Sequence, residues 1–447
     1  MMKNNILDYE QINENLSEII KNGVIKEAQH LAITEGGLPI RHFIVGNGNE
    51  DIVITGATHG SEIITSDFVV KLMQNIDKNS FEWKNILKNF TLHFVPVLNP
   101  EGYLISTSAI RKLIPREMSI QEAQNLCYRY YSLYKLDDTK SNNNVKLHLK
   151  MFDGIDYTCI PQKYSKIREN VKNILDKNPD LPKNCMHIWS ANSNGIDIQA
   201  NSNINPCINK IMNNEKLYMK SQRHNNIDYS HPGPINCPFD KDKGFKFERE
   251  TKAISDLLES LNKEGKLFAY LNYHSTGGMI FQRPAYVPEE MNISKEEIEK
   301  KEIVNFLFAR LYSDNTYKSK EQQANNNYLI NLKNSKATST NDIFRLLYPV
   351  DLLIELSPMG GNPIGPYGDI KGNYKNVMKS NFNAFKTTLE LASLTKDIAN
   401  ASYKFYSKFE ENKEYNKIIQ MEDLIYKEFM DKVNNFKVKK EKDEYER

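Results

Sequence analysis

Three short apolar segments, each ending on a residue that can bind a cation or move a proton, set the tightest limit on what this chain can fold into. The first, Asp51-Ile-Val-Ile-Thr-Gly-Ala-Thr, delivers His59 and, three residues later, Glu62. The second, Phe268-Ala-Tyr-Leu-Asn-Tyr, ends on His274 ahead of a glycine turn, and the third, Asp351-Leu-Leu-Ile, ends on Glu355. Short apolar or alternating runs bounded by turn residues read as β-strands. In open α/β sheets, ligands gather at the carboxyl ends of the strands. Three such ends therefore predict one site on one edge of one sheet. Taken singly, an HxxE spacing arises by chance, His274 reads as a hydrogen-bonded structural histidine and Glu355 as a surface charge. Together, two histidines and a carboxylate can hold one zinc ion with a position open for water, and a second carboxylate can act as base.

The remaining pattern fits an α/β chain with a mixed, twisted sheet between helices. A helix is expected over 5–23, then a strand pair, 40–46 with 51–57, around the turn sequence Gly-Asn-Gly-Asn. A helix over 61–76 places Glu62 in its first turn, and 91–98 reads as a buried strand. Amphipathic helices follow over 246–264, 290–313 and 373–394. Residues 1–395 are expected to form the site-bearing domain. Within it, 113–187 is an inserted helical subdomain with helices over 119–136 and 164–177, and 396–447 is a charged helical extension. The extension's helix, over 403–437, is expected to pack back on the domain or to serve a homo-oligomer. The Gly360-Gly-Asn-Pro-Ile-Gly-Pro loop is expected to line the pocket.

A formal charge of +2 gives no push towards nucleic acid or an anionic membrane. No run approaches the ~20 apolar residues of a membrane span, and the N-terminus lacks a signal-type apolar stretch. Cysteines at 127, 159, 185, 207 and 237 are scattered without CxxC spacing, which favours reduced thiols and a cytoplasmic chain.

The order of these motifs resembles the zinc carboxypeptidase superfamily over roughly residues 8–395. His59-x-x-Glu62 resembles the family's first metal motif, and Asn99-Pro100-Glu101-Gly102-Tyr103 its Asn-Pro-Asp-Gly-Tyr turn. Asn192-Ser-Asn-Gly195-Ile-Asp197-Ile resembles its Asn-x-x-Gly-Val-Asp-Leu segment. Pro232-Gly-Pro with Glu248-Arg-Glu-Thr is similar to its Gly-Pro … Ser-Glu-Pro-Glu-Thr stretch, and Tyr273-His274-Ser275 and Ile354-Glu355-Leu356 to its later ligand and base strands. The resemblance implies one zinc per chain on His59, Glu62 and His274. It further implies that Asp197 accepts a hydrogen bond from a zinc-bound histidine, that Glu355 is the base, and that Arg111, with Arg116 as fallback, steadies the oxyanion.

The sequence also departs from that pattern. Where the family carries Asn-Arg to grip a terminal carboxylate, this chain has Gln199-Ala200, followed by Asn201. Alanine cannot form a bidentate clamp, so Gln199, Asn201 and Arg116 are the residues left for substrate binding. No tyrosine stands between Asn334 and Asn341, and Tyr328 is the nearest. These departures, with the Trp189-x-Ala-Asn192 opening, resemble the γ-D-glutamyl-diaminopimelate peptidases of cell-wall turnover. The expected function is hydrolysis of peptide-like amides, murein-derived peptides foremost. A zinc deacylase of small N-acyl amino acids and a silent peptide-binding protein on the same fold are the rivals.

Overall fold

The computed structural model describes residues 6–133, 150–179, 181–201, 239–240, 244–275, 277–278, 280–281, 294–316, 329–330, 350–356, 374–399 and 422–435. Its centre is an eight-stranded sheet. In chain order the strands are β1 (Lys26–Glu27), β2 (Phe43–Val45), β3 (Glu50–Thr55), β4 (Phe90–Val95), β5 (Leu267–His274), β6 (Ile280–Phe281), β7 (Leu329–Ile330) and β8 (Val350–Glu355). They lie side by side in the order β1-β2-β4-β3-β5-β8-β6-β7. The four central strands, β4, β3, β5 and β8, run parallel. Antiparallel pairing joins β1 to β2, β2 to β4 and β6 to β8. Since β3, β5 and β8 are parallel, Thr55, His274 and Glu355 all end at one edge, and Glu355 stands opposite His274 in register.

The helices follow from apolar faces at helical spacing and from caps. They are α1 (Tyr9–Ile19), α2 (Ile63–Lys78), α3 (Ser80–Asn89), α4 (Pro100–Leu113), α5 (Ile120–Leu133), α6 (Ser165–Lys177), α7 (Arg249–Lys263), α8 (Lys295–Asn315) and α9 (Tyr374–Glu390). Asp8 caps α1 in a reciprocal box with Gln11. Asn99 caps α4, with Pro100 at the first helical position, where its missing N–H costs nothing.

Strand periodicity splits the core into two layers. Val53, Val95 and Tyr270 face one side of the sheet, where they pack with Ala253, Ile254 and Leu258 of α7. Ile52, Ile54, Leu271 and Tyr273 face the other, with Phe68 and Met73 of α2, Ile105 of α4 and Leu307 of α8. Residues of the 113–187 stretch join this second layer through Ile120, Cys127, Phe152, Ile167 and Val171. So does the 422–435 helix, through Ile425, Phe429 and Val433. There Arg310 stacks over Tyr426 at 5.0 Å, so the described part of the extension packs back on the domain.

The expected pairing of 40–46 with 51–57 is not formed. β2 pairs with β4 instead, and β3 lies between β4 and β5. The physical reason is burial: β3 is buried from Asp51 to Thr55, which suits an interior parallel strand with a neighbour on each edge. Gly46, at φ +99, turns the chain away from a hairpin.

Cys127, Cys159 and Cys185 are buried free thiols, and burial pushes each up to about 12, where no reactive thiolate forms. Cys207 and Cys237 lie outside the described residues, as do Pro232–Pro234, Tyr328, the 360–366 loop and much of 403–437. Among the described residues, no helix is long and apolar enough to cross a membrane.

Candidate metal centre

The site starts with a bend that only tight packing can hold. After β3, Ala57 takes φ +46, a conformation that strains a residue bearing a Cβ, and it is wholly buried. Thr65 Oγ1 accepts from its N–H at 2.7 Å, and Asn99 N–H donates to its carbonyl at 2.9 Å. Asn99 also donates its side-chain amide to the carbonyls of Thr58 and Ser190. Gly60 then passes so close to α4 that an added Cβ would lie 2.1 Å from the Gly102 carbonyl carbon. The bend aims His59 across the strand ends. Glu62 is the N-cap of α2 rather than part of its first turn. Its side chain makes no capping bond to its own helix, and its carboxylate meets the cluster instead.

There Glu62 meets both histidines. His59 Nδ1 lies 2.8 Å from Glu62 Oε1, and His274 Nδ1 lies 3.0 Å from Glu62 Oε2. The Ser275 backbone N–H donates to Glu62 Oε2 at 3.1 Å. His59, Glu62 and His274 each offer a ligand atom, all within 4.8 Å of one another. On the far side of His59, Nε2 lies 3.2 Å from Asp197 Oδ1, which also accepts from the Gln199 backbone N–H at 2.9 Å. Nε2–H held on Asp197 leaves Nδ1 as the electron-pair donor.

The electrostatics of the cluster call for positive charge. Burial alone would keep His59 neutral, yet the carboxylates of Glu62 and Asp197 outweigh it and hold its pKa well above the usual histidine range. His274 is shifted the other way, lowered by burial against the pull of Glu62. Burial, reinforced by Glu62, pushes the Glu355 carboxyl up, and His59 opposes that shift. Among the described residues, the buried Oε2 of Glu355 has no hydrogen-bond partner. Two imidazole nitrogens and a carboxylate, converging in a pocket short of positive charge, are a donor set that suits zinc.

The other expected residues are placed elsewhere. Arg111 was expected to steady an oxyanion, but its guanidinium is committed to the N-terminal helix. Nε donates to Asp8 at 2.8 Å, Nη1 to the Ile114 carbonyl at 3.0 Å, and Nη2 to Gln11 at 2.6 Å and to the Ile6 carbonyl. Arg116 also binds Asp8, through Nε and Nη2. Asn201, expected on substrate, donates to the Lys246 carbonyl at 3.1 Å and accepts from Glu248 N–H at 2.7 Å, so it ties the turn to α7. In each case a nearer charge or an orphan helix-end N–H claims the side chain. Gln199 does stay with the cluster, through Asp197 and Asn272.

Asn99, Ser275 and Asn272 also support the site, through bonds to Thr58 and Ser190, to Glu62, and to Thr55 and Thr58. An Asn-Pro at a helix start was the one available signal, and it marks a cap.

A sequence profile described as zinc carboxypeptidase matches residues 25–391. Among solved structures, carboxypeptidase A from Helicoverpa armigera is similar in fold, with 13% identity and a TM-score of 0.50 over 89% of this chain and 74% of that one. Bovine thrombin-activatable fibrinolysis inhibitor, solved with a tick carboxypeptidase inhibitor, gives 15% identity and a TM-score of 0.46 over 86% of this chain and 98% of that one. A search of curated proteins finds no match to the sequence.

Proposed function

Because the chain belongs to the zinc carboxypeptidase family, we propose that this zinc metallopeptidase uses Glu355 as its base and acts on peptides with nonstandard amides, murein-derived peptides foremost. His59, Glu62 and His274 hold the ion in this reading. When bound, zinc polarises a scissile carbonyl and brings the pKa of water down towards ~7. The chain's own residues do the rest. Asp197 orients His59, and the Ser275 N–H orients Glu62. Glu355 takes a proton from the attacking water and hands it to the leaving amine. The observation that carries this assignment is Oε2 of Glu355, buried at a strand end opposite His274 with no hydrogen-bond partner among the described residues. Other buried carboxylate oxygens also lack a hydrogen-bond partner among the described residues, and the register opposite His274 is what sets Glu355 apart. The substrate class rests on sequence: Ala200 stands where the family carries a carboxylate-binding arginine, and the Trp189 opening resembles the diaminopimelate branch.

Glu355→Gln is expected to keep zinc and to lose at least about a hundredfold in kcat. Full turnover in that variant would refute the base. A panel pairing a γ-D-glutamyl-diaminopimelate tripeptide with an ordinary α-linked peptide tests the substrate. Preference for the α-linked peptide removes the murein reading and leaves the peptidase.

A further inference from the structure

One hydroxyl bonds both sides of the loop that carries His59. We propose that Thr65 is a positioning residue for the metal ligands, its side chain holding the strained bend before His59 against the backbone of Glu62. The inference rests on the reading above in which His59 and Glu62 hold the ion. Thr65 is the third residue of α2 and wholly buried. Its Oγ1 donates to the Glu62 carbonyl at 2.7 Å and accepts from the Ala57 N–H at 2.7 Å. A hydroxyl has one hydrogen to give. The Ala57 N–H can only donate and the Glu62 carbonyl can only accept, so both bonds have a settled direction. One oxygen thereby fixes the span between Ala57, two residues before His59, and Glu62 itself.

The bend needs such a tie. Among the described residues, Ala57 is the one with a Cβ that takes a positive φ, and backbone strain of this kind persists only where the surroundings over-determine it. The Asn99 N–H holds the Ala57 carbonyl, and the Thr65 hydroxyl holds its N–H. Gly56, just before, is pressed onto the same helical turn: a Cβ there would lie 2.9 Å from the Thr65 carbonyl oxygen. Without the hydroxyl, a buried N–H loses its acceptor and Ala57 is free to relax towards negative φ. That relaxation moves His59 relative to Glu62 and His274. Serine keeps the oxygen, whereas valine keeps the branched shape and removes it.

Zinc affinity, read by competition with a chelator, tests the role without turnover. Thr65→Val is expected to weaken zinc about tenfold and Thr65→Ser to stay within about threefold of the parent. Ile76→Val, a core change at the far end of α2, should bind as the parent does. Parent affinity in Thr65→Val overturns the role. So does an equal loss in Ile76→Val, since affinity would then follow the stability of the helix alone. Glycine takes a positive φ without strain, so Ala57→Gly placed on Thr65→Val should recover most of the loss, and no recovery counts against the bend. Should Thr65→Val not fold, the pair with Ala57→Gly is expected to fold and bind zinc, and its failure to fold also overturns the role. A second arm uses zinc-free protein. Hydrogen exchange at the Ala57 amide should be about tenfold faster in Thr65→Val than in the parent, and an unchanged rate overturns the contact. No zinc uptake by the parent overturns the ligand reading and the positioning role with it, while the exchange arm still decides whether the hydroxyl holds the bend.

Discussion

At the scale of single residues, His59 rests on a carboxylate outside the His59, Glu62 and His274 cluster. Asp197 Oδ1 holds His59 Nε2 at 3.2 Å and is itself held by Gln199 N–H. Removing such an orienting partner typically lowers metal affinity 10–100-fold. Asp197→Ala is expected to show a loss in that range in competition with a chromophoric chelator, and parent affinity would leave His59 oriented by something else. Gly60 makes a sharper case. A methyl there meets the Gly102 backbone at 2.1 Å, and neither the strand-end bend nor the start of α4 has room to yield. Gly60→Ala should destabilise the fold by about 2–4 kcal/mol in urea melts and weaken zinc binding with it. His59, His274 and Glu355 were legible because each follows an apolar run, where a charge or imidazole is out of place unless it has work at a strand end, and Glu62 through its spacing from His59. Asn272 was hidden because it sits inside such a run, where an amide reads as one polar residue in an alternating strand. The contact of Arg111 was not legible for another reason: its partner Asp8 lies far back in the sequence, and spacing says nothing about which carboxylate a guanidinium will meet.

At the scale of elements, Asp8 is the fastening of α1. It caps the helix through Gln11 N–H at 2.9 Å and receives Arg111 and Arg116. Burial would push its carboxyl up, but the Gln11 N–H and the two guanidinium groups outweigh that and hold it below the ordinary aspartate range. The sign follows: this stabilisation is present above the ordinary aspartate pKa and is lost as pH falls through the lower folded value. Arg111→Ala leaves a buried carboxylate short of a partner and should cost about 3 kcal/mol. If Arg111 is only a fastening, kcat of the folded variant stays near the parent's. A hundredfold loss of kcat without loss of stability would return Arg111 to the oxyanion. The expected helices that fall on described residues lie within a few residues of those formed, since caps and apolar faces are local. However, α3 and α4 were not expected, and Asn99 to Tyr103, read as a turn, starts α4. Strand partners were not readable. The Gly-Asn-Gly-Asn turn suggested a hairpin, whereas the burial of β3 on both faces, a property of the assembled sheet, decides its neighbours.

Across the whole molecule, the sheet carries chemistry at one end and a second histidine string at the other. Near the start of the strands, Asp51 Oδ1 lies 3.2 Å from His93 Nε2, and His93 Nδ1 lies 3.0 Å from His42 Nε2, the two rings stacked. All three residues are buried. Burial, with His93 adding to it, lowers His42 to about 4. An unfolded histidine takes up its proton near pH ~6.5, so between that pH and about 4 the unfolded chain binds a proton that the folded chain refuses. Stability must therefore fall with pH across this window, by at most about 3 kcal/mol from this residue. The carboxylate fastening at Asp8 is lost only lower still, so the two effects separate along the pH axis. Urea melts of the parent and of His42→Leu, taken stepwise from pH 7 to pH 4.5, check the assignment through the slope. The variant starts less stable, having lost a buried contact, but should decline less steeply below pH ~6.5, by close to one proton's worth or about 1.4 kcal/mol per pH unit at the steepest. Parallel declines would mean that another buried group sets the acid limit of the fold.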